Sequence, residues 1–187
     1  MKAFIEQYQS RLAAQIAALD SDAIEQLAVT LIDCVKHQRQ VFICGNGGSA
    51  GNAMHLANDF LYGISPDGSR ALNVEALPAN SAVVTCLGND IGYANIFAHQ
   101  LKVKAKADDV LIVLSGSGNS ENIVAALNVA KETGMKSFAI VGFTGGKART
   151  LADCSIYNEI HDMQVAEDLQ LIVGHMLMQY LCEALAK

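Results

Sequence analysis

Residues 41–49 read VFICGNGGS: an apolar run, Val41-Phe42-Ile43-Cys44, then Gly45-Asn46-Gly47-Gly48-Ser49, and then a stretch to Leu61 that suits a helix. A strand with no polar alternation has no face for water, so VFIC belongs inside a parallel sheet covered by helices on both sides. The same order recurs at Val110–Leu114 (VLIVL), followed by Ser115-Gly116-Ser117-Gly118-Asn119-Ser120 and a helical stretch to Thr133. Leu72–Ala76, Ser137–Val141 and Ser155–Tyr157 complete the strand candidates. Ala50–Leu61, Asn80–Leu87, Tyr93–Lys104, Ser120–Thr133 and Lys147–Leu151 supply the intervening helices. Alternating strands and helices predict a doubly wound α/β domain. Ligands of such sheets bind at the carboxyl ends of the strands, where the strand order switches. The loops after VFIC and VLIVL are therefore where chemistry is expected.

Outward from this core, residues 1–38 read as two helical segments, with Leu12, Ile16, Leu19, Ile24, Leu27 and Leu31 at three- and four-residue steps and Ser21 and Asp22 as the cap between them. This N-terminal pair is expected to be an oligomerisation element. A last helix is expected over Met163–Ala186, with Val165, Leu169, Ile172, Val173, Met176 and Tyr180 as its apolar stripe. One domain over residues 1–187 accounts for the whole length.

Composition narrows the function. Apolar residues make up 51% and charged residues 17%, which excludes a disordered chain. With 13 Lys and Arg against 19 Asp and Glu, and no basic cluster, a grip on nucleic-acid phosphates is not expected. No run reaches the ~18–20 apolar residues of a membrane span, and the N-terminal segment lacks the apolar centre of a signal peptide. Five cysteines, an odd number with no CxxC pair, suit buried reduced thiols in the cytoplasm.

The first loop is either a tight structural turn or an anion cradle. Its glycines permit close backbone approach, and the helix after it offers unpaired N–H groups. It has neither the GxxxxGK[ST] spacing of a P-loop nor the GxGxxG of a dinucleotide site. In the second loop Ser120 could be a simple N-cap. Three hydroxyls and two glycines exceed what a cap needs, however, and suit phosphate oxygens at a helix N-terminus. With no cationic anchor nearby, a sugar phosphate is expected rather than a nucleotide polyphosphate.

Acid–base groups occur in two pairs. His55 and Asp59 lie four residues apart on one helix face. Glu167 and His175 lie eight apart on the last helix, separated by about 12 Å of rise, so they reach one centre only at the limit of their length or from different chains. Two His and two carboxylates could ligate zinc, or could be ordinary packed and solvated side chains.

CGNGGSAGNAMH (44–55), CLGNDIGYANIF (86–97) and LSGSGNS (114–120), in this order, resemble the sugar isomerase (SIS) domain family, in its single-domain phosphoheptose isomerase branch. The resemblance implies a flavodoxin-like three-layer αβα sandwich and a homotetramer with active sites between subunits. It also implies conversion of sedoheptulose 7-phosphate to D-glycero-D-manno-heptose 7-phosphate for surface-polysaccharide precursors. It assigns Asp59 as base and His175 as acid, and His55, Asp59, Glu167 and His175 as ligands of one zinc per subunit. Substrate contacts fall on Asn46, Gly47, Gly48, Ser49, Asn89, Asp90, Ser115, Gly116, Ser117, Ser120 and Glu167.

The chain departs from the pattern where Asp59 replaces Glu, Glu167 replaces Gln, Gly116 replaces Thr and Gly63 replaces Arg. These changes keep open an isomerase for another phosphosugar. A non-catalytic regulator, either binding the replication initiator or sensing sugar phosphates, is the alternative of a different class. The relative that binds the initiator lacks the histidine that this chain keeps at His175.

Overall fold

The computed structural model describes residues 1–186; Lys187, the last residue of the domain expected over 1–187, lies outside them. Five strands, β1 (Gln40–Gly45), β2 (Asn73–Ala76), β3 (Val110–Ser115), β4 (Lys136–Val141) and β5 (Cys154–Tyr157), form one sheet in the order β2-β1-β3-β4-β5. All four pairings are parallel. This is the flavodoxin-like order, with its switch between β1 and β3.

Alternate strand residues feed two separate cores. Val41 and Ile43 of β1, Val110, Ile112 and Leu114 of β3, and Phe138 and Ile140 of β4 pack under α2 (Ser21–His37), α3 (Gly48–Asn58) and α8 (Met163–Ala186). Phe42, Cys44, Leu111, Val113, Ala139 and Val141 pack on the other face under α5 (Ile96–Lys104), α6 (Glu121–Thr133) and α7 (Gly146–Leu151). The uniformly apolar runs are thus explained: β1, β3 and β4 are buried on both sides. Between β2 and α5 lie α4 (Ser81–Asp90) and a short 3-10 turn, Tyr93–Asn95.

Some features differ from expectation. The cap of α2 is Asp20, whose carboxylate accepts from the Asp22 and Ala23 amides, rather than Ser21 or Asp22. The helix expected over Ala50–Leu61 starts two residues earlier and changes to a π-helical turn over Asp59–Gly63. The helix α8 is long and apolar enough by composition to cross a bilayer. Its Val165, Leu169, Val173, Leu177 and Leu181 are nonetheless buried in the protein, which makes it a core helix.

The helix α1 (Lys2–Ala17) has no buried residue, and polar contacts tie it to the rest. Tyr8 Oη donates to Asp168 at 2.5 Å, and Arg11 pairs with Asp162 at 3.3 Å. The bond to the Asp168 carboxylate, with burial and the Asp168 charge adding, pushes the Tyr8 phenol up to about 12. An unfolded tyrosine ionises near pH ~10. The contact therefore contributes fully below that value and is lost as pH rises through about 12. Absorbance titration of the tyrosines is expected to show a late step near pH 12 that Tyr8→Phe abolishes. An unaltered titration in that variant would contradict the contact.

Candidate active site

Gly45 of β1 pairs in register with Leu114 of β3, so the two turns beyond them leave the sheet side by side. Both open onto one cavity of about 250 Å³, lined by Asn46, Gly47, Gly48, Ser49, Leu114, Ser115, Gly116, Ser117, Ser120, Met163 and Glu167. Neither α3 nor α6 receives a hydrogen bond from its N-cap side chain. Ser120 is thus not the simple cap that its position allowed. It lines the cavity, at the helix N-terminus where the first amides of α6 remain available to an anion.

The serine turn holds its shape through Gly118, at φ +67°, where an added Cβ would lie 2.0 Å from the Gly145 carbonyl oxygen. The Gly118 amide donates to Ser115 Oγ at 3.1 Å, and the Asn119 amide to Ser117 Oγ at 3.3 Å. These bonds use acceptor capacity and leave both hydroxyl protons for a ligand. Gly116 has a local cause as well. A Cβ there would meet Met163 Sδ at 2.5 Å, so Met163 fills the space that a larger residue would need.

The acid–base residues gather one step away, where α3 and α8 run side by side. His55 Nε2 lies 2.9 Å from His175 Nε2, and Asp59 Oδ2 lies 3.3 and 3.5 Å from these nitrogens. Gly174 permits this approach: a Cβ on it would fall 2.2 Å from Leu56 Cδ2, and Leu56 is buried and cannot swing away. The π-helical turn begins at Asp59, the point at which its carboxylate, 16% exposed, must meet both rings. Single π turns of this kind recur at functional sites.

The three ligand atoms lie within 4.8 Å of one another. Two facing imidazole nitrogens so close need a shared proton or a cation between them. Two nitrogens and a carboxylate oxygen suit a divalent transition metal with one position left open for a substrate.

Glu167 is not brought to this group. Its carboxylate lies against Gly48, where an added Cβ would meet its oxygens at 2.3 and 2.4 Å, and it lines the cavity of the two turns. Asn89 and Asp90 also stand apart: they are exposed at the end of α4, bonded to each other at 2.8 Å, and do not line the cavity. Ser49 lines it but is buried, accepting from Gln170 Nε2 at 3.1 Å.

Two residues escaped sequence reasoning. Gln170, 1% exposed, bonds Ser49 and also accepts from Asn52 Nδ2 at 3.0 Å, tying α8 to the start of α3. Asn122, 1% exposed, forms a reciprocal pair of bonds with Asn46, both at 2.8 Å. The available signal was an amide on an apolar stripe: Asn122 with Ala126 and Val129, and Gln170 with Val173 and Leu177.

Residues 3–142 match the family model described as the SIS domain. The phosphoheptose isomerase of Clostridium acetobutylicum is 37% identical over 182 residues, which span 95% of this chain and 92% of that one. The phosphoheptose isomerase of Akkermansia muciniphila is 34% identical over 179 residues, spanning 95% and 94%. A solved structure of a phosphoheptose isomerase from Francisella tularensis superposes with a TM-score of 0.87 at 26% identity, covering 96% of each chain.

Gly174→Ala is expected to force the two helices apart and to cost about 1–3 kcal/mol, as overpacking of a filled core does. Denaturant unfolding measures this. A variant as stable as the parent would contradict the close contact of Leu56 with Gly174.

Proposed function

The chain belongs to the SIS domain family, among the phosphoheptose isomerases, and from that premise we propose that it interconverts sedoheptulose 7-phosphate and D-glycero-D-manno-heptose 7-phosphate. The observation that carries this reading is the single cavity shared by the serine turn and the glycine turn, with a carboxylate and two imidazoles converging on the adjoining helices.

The serine turn takes the phosphate through the hydroxyls of Ser115, Ser117 and Ser120 and the first amides of α6, aided by the helix dipole. Asp59 is the base. Its Oδ2 faces the imidazoles, and Oδ1, approached only by Asn58 at 3.5 Å, is left to take the proton from C1 of the ketose. His175 serves the oxygens, as O2 gains a proton and O1 loses one; the proton taken from C1 exchanges with solvent on Asp59, which then protonates C2. These transfers are ordinary general acid–base chemistry. Asp59 lies on a part-buried turn that carries it to the rings, which offsets the loss of one methylene relative to Glu.

His55, Asp59 and His175 would hold zinc, one per subunit, and when bound it would polarise the carbonyl as a Lewis acid. Glu167 and His175 are separated along α8 by about 12 Å of rise. Glu167 would therefore face this group only from a neighbouring copy, in a homotetramer with sites between subunits. Exposed apolar side chains on the helical face, Phe4, Ile5, Val29, Met176 and Tyr180, support such an assembly. So does the 520 Å³ apolar groove between α1, α2 and α8. Five unpaired cysteines support a cytoplasmic setting, and a product feeding surface-polysaccharide precursors accords with it.

Purified protein is expected to convert sedoheptulose 7-phosphate to the aldose. Asp59→Asn and His175→Asn should each lower kcat by about 10²–10⁴-fold. Failure to turn over any ketose phosphate would refute the reading. Turnover undiminished in both variants would displace the assigned acid and base.

A further inference from the structure

Within the chain, the glycine turn and the serine turn are joined by one hydrogen-bonded link. The ladder between β1 and β3 ends at Gly45 and Leu114. Beyond it the serine turn is bonded to the opposite side, through the Gly142 amide to the Gly116 carbonyl at 3.0 Å and the Ala148 amide to the Gly118 carbonyl at 2.9 Å. The glycine turn is bonded toward α8, through Gln170 to Ser49. Among the described residues only the Asn46–Asn122 pair spans the gap, with each amide donating to and accepting from the other at 2.8 Å. Tyr93 Oη donates to the same Asn46 oxygen at 2.9 Å, adding the segment that follows α4.

Asn122 does not earn its place as a helix former. Asn ranks low inside helices, and a buried position on the apolar stripe of α6 favours an aliphatic side chain. An amide there is useful because Asn46 supplies a matching partner, and a reciprocal pair fixes distance and orientation together.

We propose that Asn122 is a positioning residue that sets the spacing between the phosphate-binding turn and the turn that meets the rest of the sugar, with Tyr93 bracing it. The inference rests on the sugar-phosphate reading of this cavity. Asn122 need not touch the substrate. Through Asn46 it holds the glycine turn at the separation that a ligand bridging both turns requires. A ligand that occupies the serine turn alone does not sense that separation, whereas a bridging ligand does. Displacements near ~1 Å can cost ~10²-fold in a reaction that depends on alignment.

The test compares two probes on Asn122→Ala and Tyr93→Phe. Inorganic phosphate, which fits the serine turn alone, is expected to bind Asn122→Ala within about twofold of the parent. Sedoheptulose 7-phosphate, which bridges the turns, should lose about tenfold or more in kcat/KM, the loss falling in both KM and kcat. Tyr93 is exposed, so Tyr93→Phe leaves the core intact and should show the same selective loss at about two- to fivefold, which keeps the test decisive if Asn122→Ala does not fold. Equal losses for both probes, or no loss for either, would overturn the positioning role. A parent protein that binds neither probe would instead overturn the sugar-phosphate reading, and this inference with it.

Discussion

The pairing of β1 with β3 is the constraint on which the rest depends. The chain leaves β1 toward one edge, through α3 to β2, and returns on the other side of β1 as β3. Two turns that are 70 residues apart in sequence, such as Asn46 and Gly116, therefore emerge next to each other from the same edge of the sheet. Both β1 and β3 are buried on both faces, so the register cannot slip without moving Phe42, Ile43, Leu111 and Ile112 between two differently shaped cores. The position of the cavity is in this sense a consequence of apolar burial.

The second requirement is the contact between α3 and α8. Glu167 lies on Gly48, Gln170 meets Asn52 and Ser49, and Leu56 lies on Gly174, so the two helices are matched at three levels along their length. His55 and His175 come together at the level of Gly174, and Asp59 joins them as the π turn begins. The same matching holds Glu167 at the level of the glycine turn. Its carboxylate is thereby kept from the imidazoles of its own chain.

Much of this was legible in the sequence. All five strands fall within a residue or two of where apolar runs place them, and β1, β3 and β4 are the plainest, because a strand buried on both sides leaves a pattern that needs no partner to be recognised. The two turns were legible because glycines and hydroxyls follow such strands directly. What could not be read depends on adjacency. Nothing local to Asn122 says that Asn46 faces it, or that Leu56 needs Gly174 to lack a side chain. The π turn at Asp59 and the filling of space at Gly116 by Met163 likewise arise between elements. Asp20 rather than Ser21 caps α2 because the carboxylate reaches two amides at once.

Two departures from the family pattern have neighbours that fill the space: Gly116 lies against Met163 and Gly63 faces Met178. The packing of Glu167 on Gly48 does not explain a carboxylate where the family has an amide of the same size. The central claim is that Asp59 and its imidazole neighbours move a carbon-bound proton of a ketose phosphate held by the serine turn. Running the reaction with sedoheptulose 7-phosphate in deuterium oxide and reading the sugar by proton NMR tests it most directly. The account predicts an aldose phosphate carrying deuterium at C2. Sugar recovered as the ketose, with no deuterium at C1, would contradict it.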